Sequence, residues 1–141
     1  MYLQGAQFYS RCRIVGAVDF IWGQRARAWI TLSDIRTLGD GFITASGRSS
    51  DDSGWYVIDH SYVTGDGRAY LGRPWRSYAR VAFQYSYLGP NIVPAGWSIW
   101  TDGAPQTSNV FFAEYTNNGF VTLSAAIDTA STYFEWFVRF L

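Results

Sequence analysis

The strongest constraint on this chain is a strand-like pattern that returns every 21 to 29 residues. Segments 8–15, 28–37, 55–64, 80–88 and 109–115 are rich in β-branched and aromatic residues, and Gly, Asp or Ser turns bound them. Their anchoring aromatics, Phe8, Trp29, Tyr56, Phe83 and Phe112, are 21, 27, 27 and 29 residues apart, a spacing typical of solenoids. A second series of short segments, 17–22, 41–45, 68–71 and 96–100, lies between them. Two strand types alternating with no helical pattern between them predict coils stacked on coils. That is an all-β, right-handed parallel β-helix, a single-stranded solenoid with its aromatics stacked inside. An antiparallel sandwich has a similar strand count, and pattern alone does not separate the two.

Composition narrows the function classes. The 141 residues suit one domain with a real core. All 11 basic residues are arginine, they balance 11 acidic ones, and the formal net charge is zero. A nucleic-acid partner, which needs a clustered positive surplus, is therefore not expected. Arginine without lysine suits bidentate contacts to carboxylates, either those of an anionic sugar acid or buried structural ones. Cys12 is the single cysteine and His60 the single histidine. No internal disulfide can form, multi-histidine metal sites are excluded, and a Ser-His-Asp triad would have to use His60. No cofactor or metal is expected. No apolar run reaches the roughly 18 residues of a membrane span, so no membrane partner is expected. The opening residues lack the basic-then-apolar order of a signal peptide.

Two strings carry the chemistry. In Gly16-Ala17-Val18-Asp19-Phe20-Ile21-Trp22-Gly23 a carboxylate stands among Val, Phe, Ile and Trp. Burying it is costly unless a partner neutralises it, so it is either a structural salt bridge or a reactive carboxylate in a dry wall. In Tyr70-Leu71-Gly72-Arg73-Pro74-Trp75, Pro74 biases Arg73 toward an extended backbone. An arginine held there can clamp a carboxylate, and Trp75 offers a flat apolar face of the kind sugars stack on. The bland alternative is a turn with core packing.

Together these strings resemble the signatures of the pectin methylesterases, G-x-V-D-F-I-F-G and L-G-R-P-W. The likeness continues through Gly41-Phe42-Ile43-Thr44-Ala45-Ser46-Gly47-Arg48, Pro94-Ala95-Gly96-Trp97-Ser98-Ile99-Trp100 and Glu114-Tyr115-Thr116-Asn117. Ala26-Arg27-Ala28-Trp29 and the run 47–52 lean toward its fungal branch. The resemblance implies a parallel β-helix with an open cleft across one sheet. It implies Asp19 as the nucleophile on the C6 methyl ester of a galacturonate unit, and Arg73 as the arginine that hydrogen-bonds and orients that aspartate. Trp75, Trp22 and Phe20 are the implied substrate-binding residues, Trp22 replacing the usual Phe. The implied partner is methyl-esterified homogalacturonan. The complete protein is expected to be a secreted monomer.

Residues 1–119 are read as a partial β-helix domain and 120–141 as a divergent tail. In the family the acid toward the leaving methanol lies in a Gln-Asp-Thr-Leu phrase some twenty residues before the nucleophile, where Met1-Tyr2 occupies only its end. The expectation is a chain truncated at its N-terminal side, with impaired hydrolysis, since losing a proton donor costs about 10²–10⁴-fold. A non-catalytic pectate-binding fragment is the alternative. A polysaccharide lyase would need calcium-binding carboxylate clusters, and the only adjacent acidic pair, Asp51-Asp52, reads better as a solvated turn.

Overall fold

The computed structural model describes residues 1–119, and the tail 120–141 lies outside the described residues. The strands are β1 (Tyr2–Ser10), β2 (Arg13–Gly16), β3 (Ile21–Thr31), β4 (Asp34–Leu38), β5 (Gly41–Ser46) and β6 (Trp55–Asp59). They continue as β7 (Tyr62–Asp66), β8 (Ala69–Pro74), β9 (Arg80–Gln84), β10 (Tyr87–Leu88), β11 (Phe111–Tyr115) and β12 (Asn118–Gly119). Their ladders are parallel throughout, as a right-handed β-helix requires.

The coil has three faces rather than two. The first joins the start of β3 to β5 and β8 and continues by bridges from Ala69 to Ile92 and from Gly72 to Trp97. The second stacks the end of β1 on the end of β3, then β6, β9 and β11. The third stacks β2, β4, β7, β10 and β12. Strand β3 runs through the first corner without a break and so belongs to two faces. The loops 47–54 and 75–79 open that corner in later coils.

The first four segments of the longer sequence series each turn the second corner on one residue, and the fifth turns it on the residue just past its end. Arg11, Leu32, His60, Tyr85 and Thr116 have φ of 54°, 51°, 41°, 47° and 50°. Non-glycine residues rarely adopt this left-handed region, and without Gly or Pro the corner is hard to read from sequence. What holds it is a polar ladder one position on. Ser33, Ser61 and Ser86 each donate a hydroxyl to the carbonyl two residues back. Their oxygens accept the N–H of the neighbouring coil, from Cys12 to Ser33, Ser33 to Ser61 and Ser61 to Ser86, and Asn117 closes the column by accepting from Ser86 N–H.

The interior is filled in rows, because a parallel register places the same strand position of successive coils one above another. Ile14, Ile35, Val63 and Leu88 form one row, and Ile30, Ile58 and Phe83 another; all are buried. The aromatic anchors do not share one row. Phe8 pairs with Trp29, whereas Tyr56 pairs with Ala28, Phe83 with Ile58 and Phe112 with Val81. A shift of one residue reverses the face a side chain occupies, so Phe8, expected inside, is 68% exposed on β1. Trp29 is buried, as expected, but outside the interior cluster to which Ala28 and Ile30 belong.

Candidate active site

Asp19 stands in the bend between β2 and β3. Its φ of 49° places a non-glycine residue in the left-handed region, a conformation that costs of the order of 1–3 kcal/mol and persists where the surroundings enforce it. Here the enforcing contact is its own N–H, which donates to the Phe42 carbonyl at 2.7 Å. Gly16 lies below, where an added Cβ would collide with the Phe20 side chain. Phe20 is 8% exposed and belongs to the interior cluster. That departs from the expectation that Phe20 contacts substrate: next to an aspartate turned outward by its backbone, it points into the core and supports the bend from beneath.

Arg73 reaches this carboxylate from β8, 54 residues away in sequence. Its Nε donates to Asp19 Oδ1 at 3.0 Å and its Nη2 to Oδ2 at 2.6 Å. This is the bidentate fork that guanidinium and carboxylate planes favour, and it fixes orientation as well as charge. Both side chains are about one-fifth exposed, at 18% for Arg73 and 21% for Asp19, so the pair is open to a ligand on one side. Nothing in the sequence reading anticipated how the guanidinium is held. Its carbon lies 4.1 Å from the Phe42 ring centroid and 4.2 Å from that of Trp100, a sandwich between two aromatic faces. Both residues sit in strings already singled out, but a ring's partner across coils cannot be read from one string.

Trp75 is half-buried beside this pair, as expected of a cleft wall. It meets Trp22 edge to face at 6.1 Å, and Trp22 is 38% exposed and packs in turn on Tyr2. Trp75 rests on Gly47, where no side chain would fit beneath the indole. The loops carrying Gly47 and Trp75 are joined by Arg48, only 2% exposed. It donates to Asp51 and Asp52 at 2.8 Å each and to the Tyr78 carbonyl at 2.9 Å. Asp51 also accepts from Arg80 at 2.6 Å. These arginines hold the Asp51 carboxyl below the usual range, with the Arg48 hydrogen bond the largest cause. Asp51 and Asp52 are thus a salt-bridged turn. Among the described residues no three His, Cys, Asp or Glu side chains cluster as a metal site would require.

His60 lies away from this cleft, on the second corner. Its Nδ1 is 2.9 Å from Asp59 Oδ1 and its ring stacks on Tyr85. The neighbouring Ser61 hydroxyl donates to the Asp59 carbonyl rather than to the imidazole, so these residues form no Ser-His-Asp relay.

A family model described as Pectinesterase matches residues 1–128. A pectinesterase of Aspergillus niger is 47% identical over 126 residues, covering 82% of this chain and 38% of its own length. The deglycosylated crystal structure of the pectin methylesterase from Aspergillus niger superposes with a TM-score of 0.73 at 39% identity, over 95% of this chain and 50% of that one. Pectin methylesterase from carrot superposes with a TM-score of 0.80 at 28% identity, over 94% and 50% of the two chains. The chain spans half or less of each of these relatives, and over that span it belongs to the pectinesterase family.

Proposed function

We propose that this chain carries the nucleophile and its orienting arginine for hydrolysis of galacturonate methyl esters in pectin, as part of an extracellular enzyme. The observation that carries the reading is the Asp19–Arg73 fork, set in a half-exposed aromatic cleft by a strained backbone. Asp19 attacks the ester carbonyl carbon and forms an acyl-enzyme anhydride; methoxide leaves and takes up a proton as methanol. Water then adds to the anhydride, releasing the free galacturonate carboxylate and restoring Asp19. Arg73 keeps the attacking oxygens aligned through both steps, and Phe42 and Trp100 keep Arg73 in plane. Trp75 and Trp22 supply apolar faces for the sugar rings.

The proton for methanol and the donors for the developing oxyanion are not supplied by Asp19 or Arg73. By resemblance the proton donor belongs to the Gln-Asp-Thr-Leu phrase and the oxyanion donors to its Gln and an earlier Gln; a general acid of this kind contributes about 10²–10⁴-fold. The deciding measurement is methanol release from methyl-esterified polygalacturonate. Asp19→Asn is the apt variant, because asparagine tolerates the left-handed backbone and cannot form the anhydride. Release should fall to background in Asp19→Asn while binding of the polymer persists. Equal release by both proteins would remove Asp19 from the mechanism. Polymer binding with no release by the unaltered chain would favour the pectate-binding reading.

A further inference from the structure

Tyr56 is the polar exception among the rings of the interior. Among the described residues the buried rings of the interior cluster are Phe20, Tyr56, Phe83 and Phe112, and of these only Tyr56 carries a hydroxyl. The residue is 2% exposed. A phenylalanine would fill the same space, and a buried hydroxyl costs free energy unless it finds a partner. Its partner is the Gly23 carbonyl, 2.5 Å away and 33 residues earlier in the chain. Burial raises the pKa of the phenol, so the group stays protonated and acts as a donor.

The Gly23 carbonyl also accepts the N–H of Gly47 at 2.8 Å. This is the last backbone rung between β3 and the end of β5 before loop 47–54 opens the first corner. Both tryptophans of the cleft stand on it. Trp22 is the residue before Gly23, and the Trp75 indole lies over Gly47, where any side chain would collide with the ring. The two rings meet edge to face at 6.1 Å. The Asp19–Arg73 fork is held by other contacts: Asp19 by the Phe42 carbonyl, and Arg73 by the rings of Phe42 and Trp100.

We propose that Tyr56 is a positioning residue: from inside the coil its hydroxyl fixes the Gly23–Gly47 rung and so sets the spacing of Trp22 and Trp75 as a platform for sugar rings. The inference rests on the pectin reading above and extends it to the support of the binding surface. Removing the hydroxyl loosens the platform and leaves the fork in place. Sugar binding then changes while the alignment of Asp19 and Arg73 does not.

The test compares the unaltered chain with Tyr56→Phe, Ile58→Val and Trp75→Ala. Ile58→Val thins the same interior from the same strand without touching the rung. Two readouts are taken: the indole N–H resonances of Trp22 and Trp75 in the free protein, and calorimetric binding of fully methyl-esterified trigalacturonate. Tyr56→Phe should move both indole resonances, keep the Arg73 Nε–H resonance in place, and weaken the trimer about threefold to tenfold, as for loss of one hydrogen bond. Ile58→Val should leave the indoles and the binding unchanged, and Trp75→Ala should weaken the trimer further. Unmoved indole resonances or unchanged trimer binding in Tyr56→Phe overturns the proposal and leaves the pectin reading in place. An equal effect of Ile58→Val also overturns it, since the hydroxyl would then act only through the stability of the interior. If the unaltered chain does not bind the trimer, or Trp75→Ala binds it equally well, the pectin reading of the tryptophans fails and the platform with it.

Discussion

Glu114 is a carboxyl group in an interior position, where its neighbour in the register is Phe83. Burial pushes its pKa up to about 7 and outweighs the opposing pull of the hydrogen bond from Trp97 Nε1, at 2.9 Å. In the unfolded chain the same group releases its proton near its ordinary 4.5. Between these two values the folded state holds more protons, so raising the pH favours unfolding. The contribution of Glu114 is full below about pH 4.5 and is lost as the pH rises through about 7. Thermal unfolding followed from pH 4 to 8 should show this decline. Glu114→Gln, which keeps an acceptor for the indole, should flatten it; an unaltered slope in the variant would show that another group is responsible. The consequence reaches the cleft, because Trp97 stacks on Phe112 at 4.2 Å and leads the segment that ends in Trp100 over Arg73.

The second corner is the element on which the coil geometry depends. Five left-handed residues in a column are tolerable because the serine ladder satisfies the backbone groups that the turn leaves open. Ser61 is central: it is 2% exposed, its hydroxyl donates to Asp59, and its oxygen accepts from Ser33 N–H. Ser61→Ala leaves that buried N–H unpaired, which costs about 1–3 kcal/mol. Urea unfolding should show the loss as a lower midpoint with an unchanged slope. Ser61→Thr, which restores the hydroxyl, should recover much of it if the turn accommodates the extra methyl. A Ser61→Ala protein as stable as the original would mean that the corner is held by its side-chain packing instead.

Across the described molecule the interior is one continuous cluster, from Leu3 on β1 to Phe112 on β11. Ile58 sits in the middle of it, fully buried between Ile30 and Phe83. Truncation there removes contacts from three coils at once, and Ile58→Ala should cost about 2–5 kcal/mol. Because the rows are shared, tryptophan fluorescence and far-ultraviolet circular dichroism should report one coincident transition in both proteins. Separate midpoints would show that the coils unfold independently, as weakly coupled repeats do.

How much of this was legible in the sequence depended on whether the cause was local. Strand-rich segments at a regular return pointed to an all-β fold and left an antiparallel sandwich open beside the solenoid; the family signature supplied the choice. The Asp19 and Arg73 strings named the pair, because a carboxylate among apolar residues needs a partner and the family signature supplied which one. The half-exposed Trp75 was likewise readable from its context, whereas Trp29 is buried but lies outside the stacked interior in which its strand pattern placed it. The third face was not, because its corner is made by Arg11, Leu32, His60, Tyr85 and Thr116, none of which is a turn-former by type. The serines beside that corner, at 33, 61 and 86, were its only local trace. Register decided the rest. Phe8 came to face outward and Phe20 inward, and Phe42 and Trp100 closed on Arg73, through contacts between coils some 20 to 30 residues apart. The sequence alone determined which residues repeat and which charges need partners. Only the tertiary structure decided which of them meet, because in a parallel stack each side chain's neighbours come from other turns of the chain.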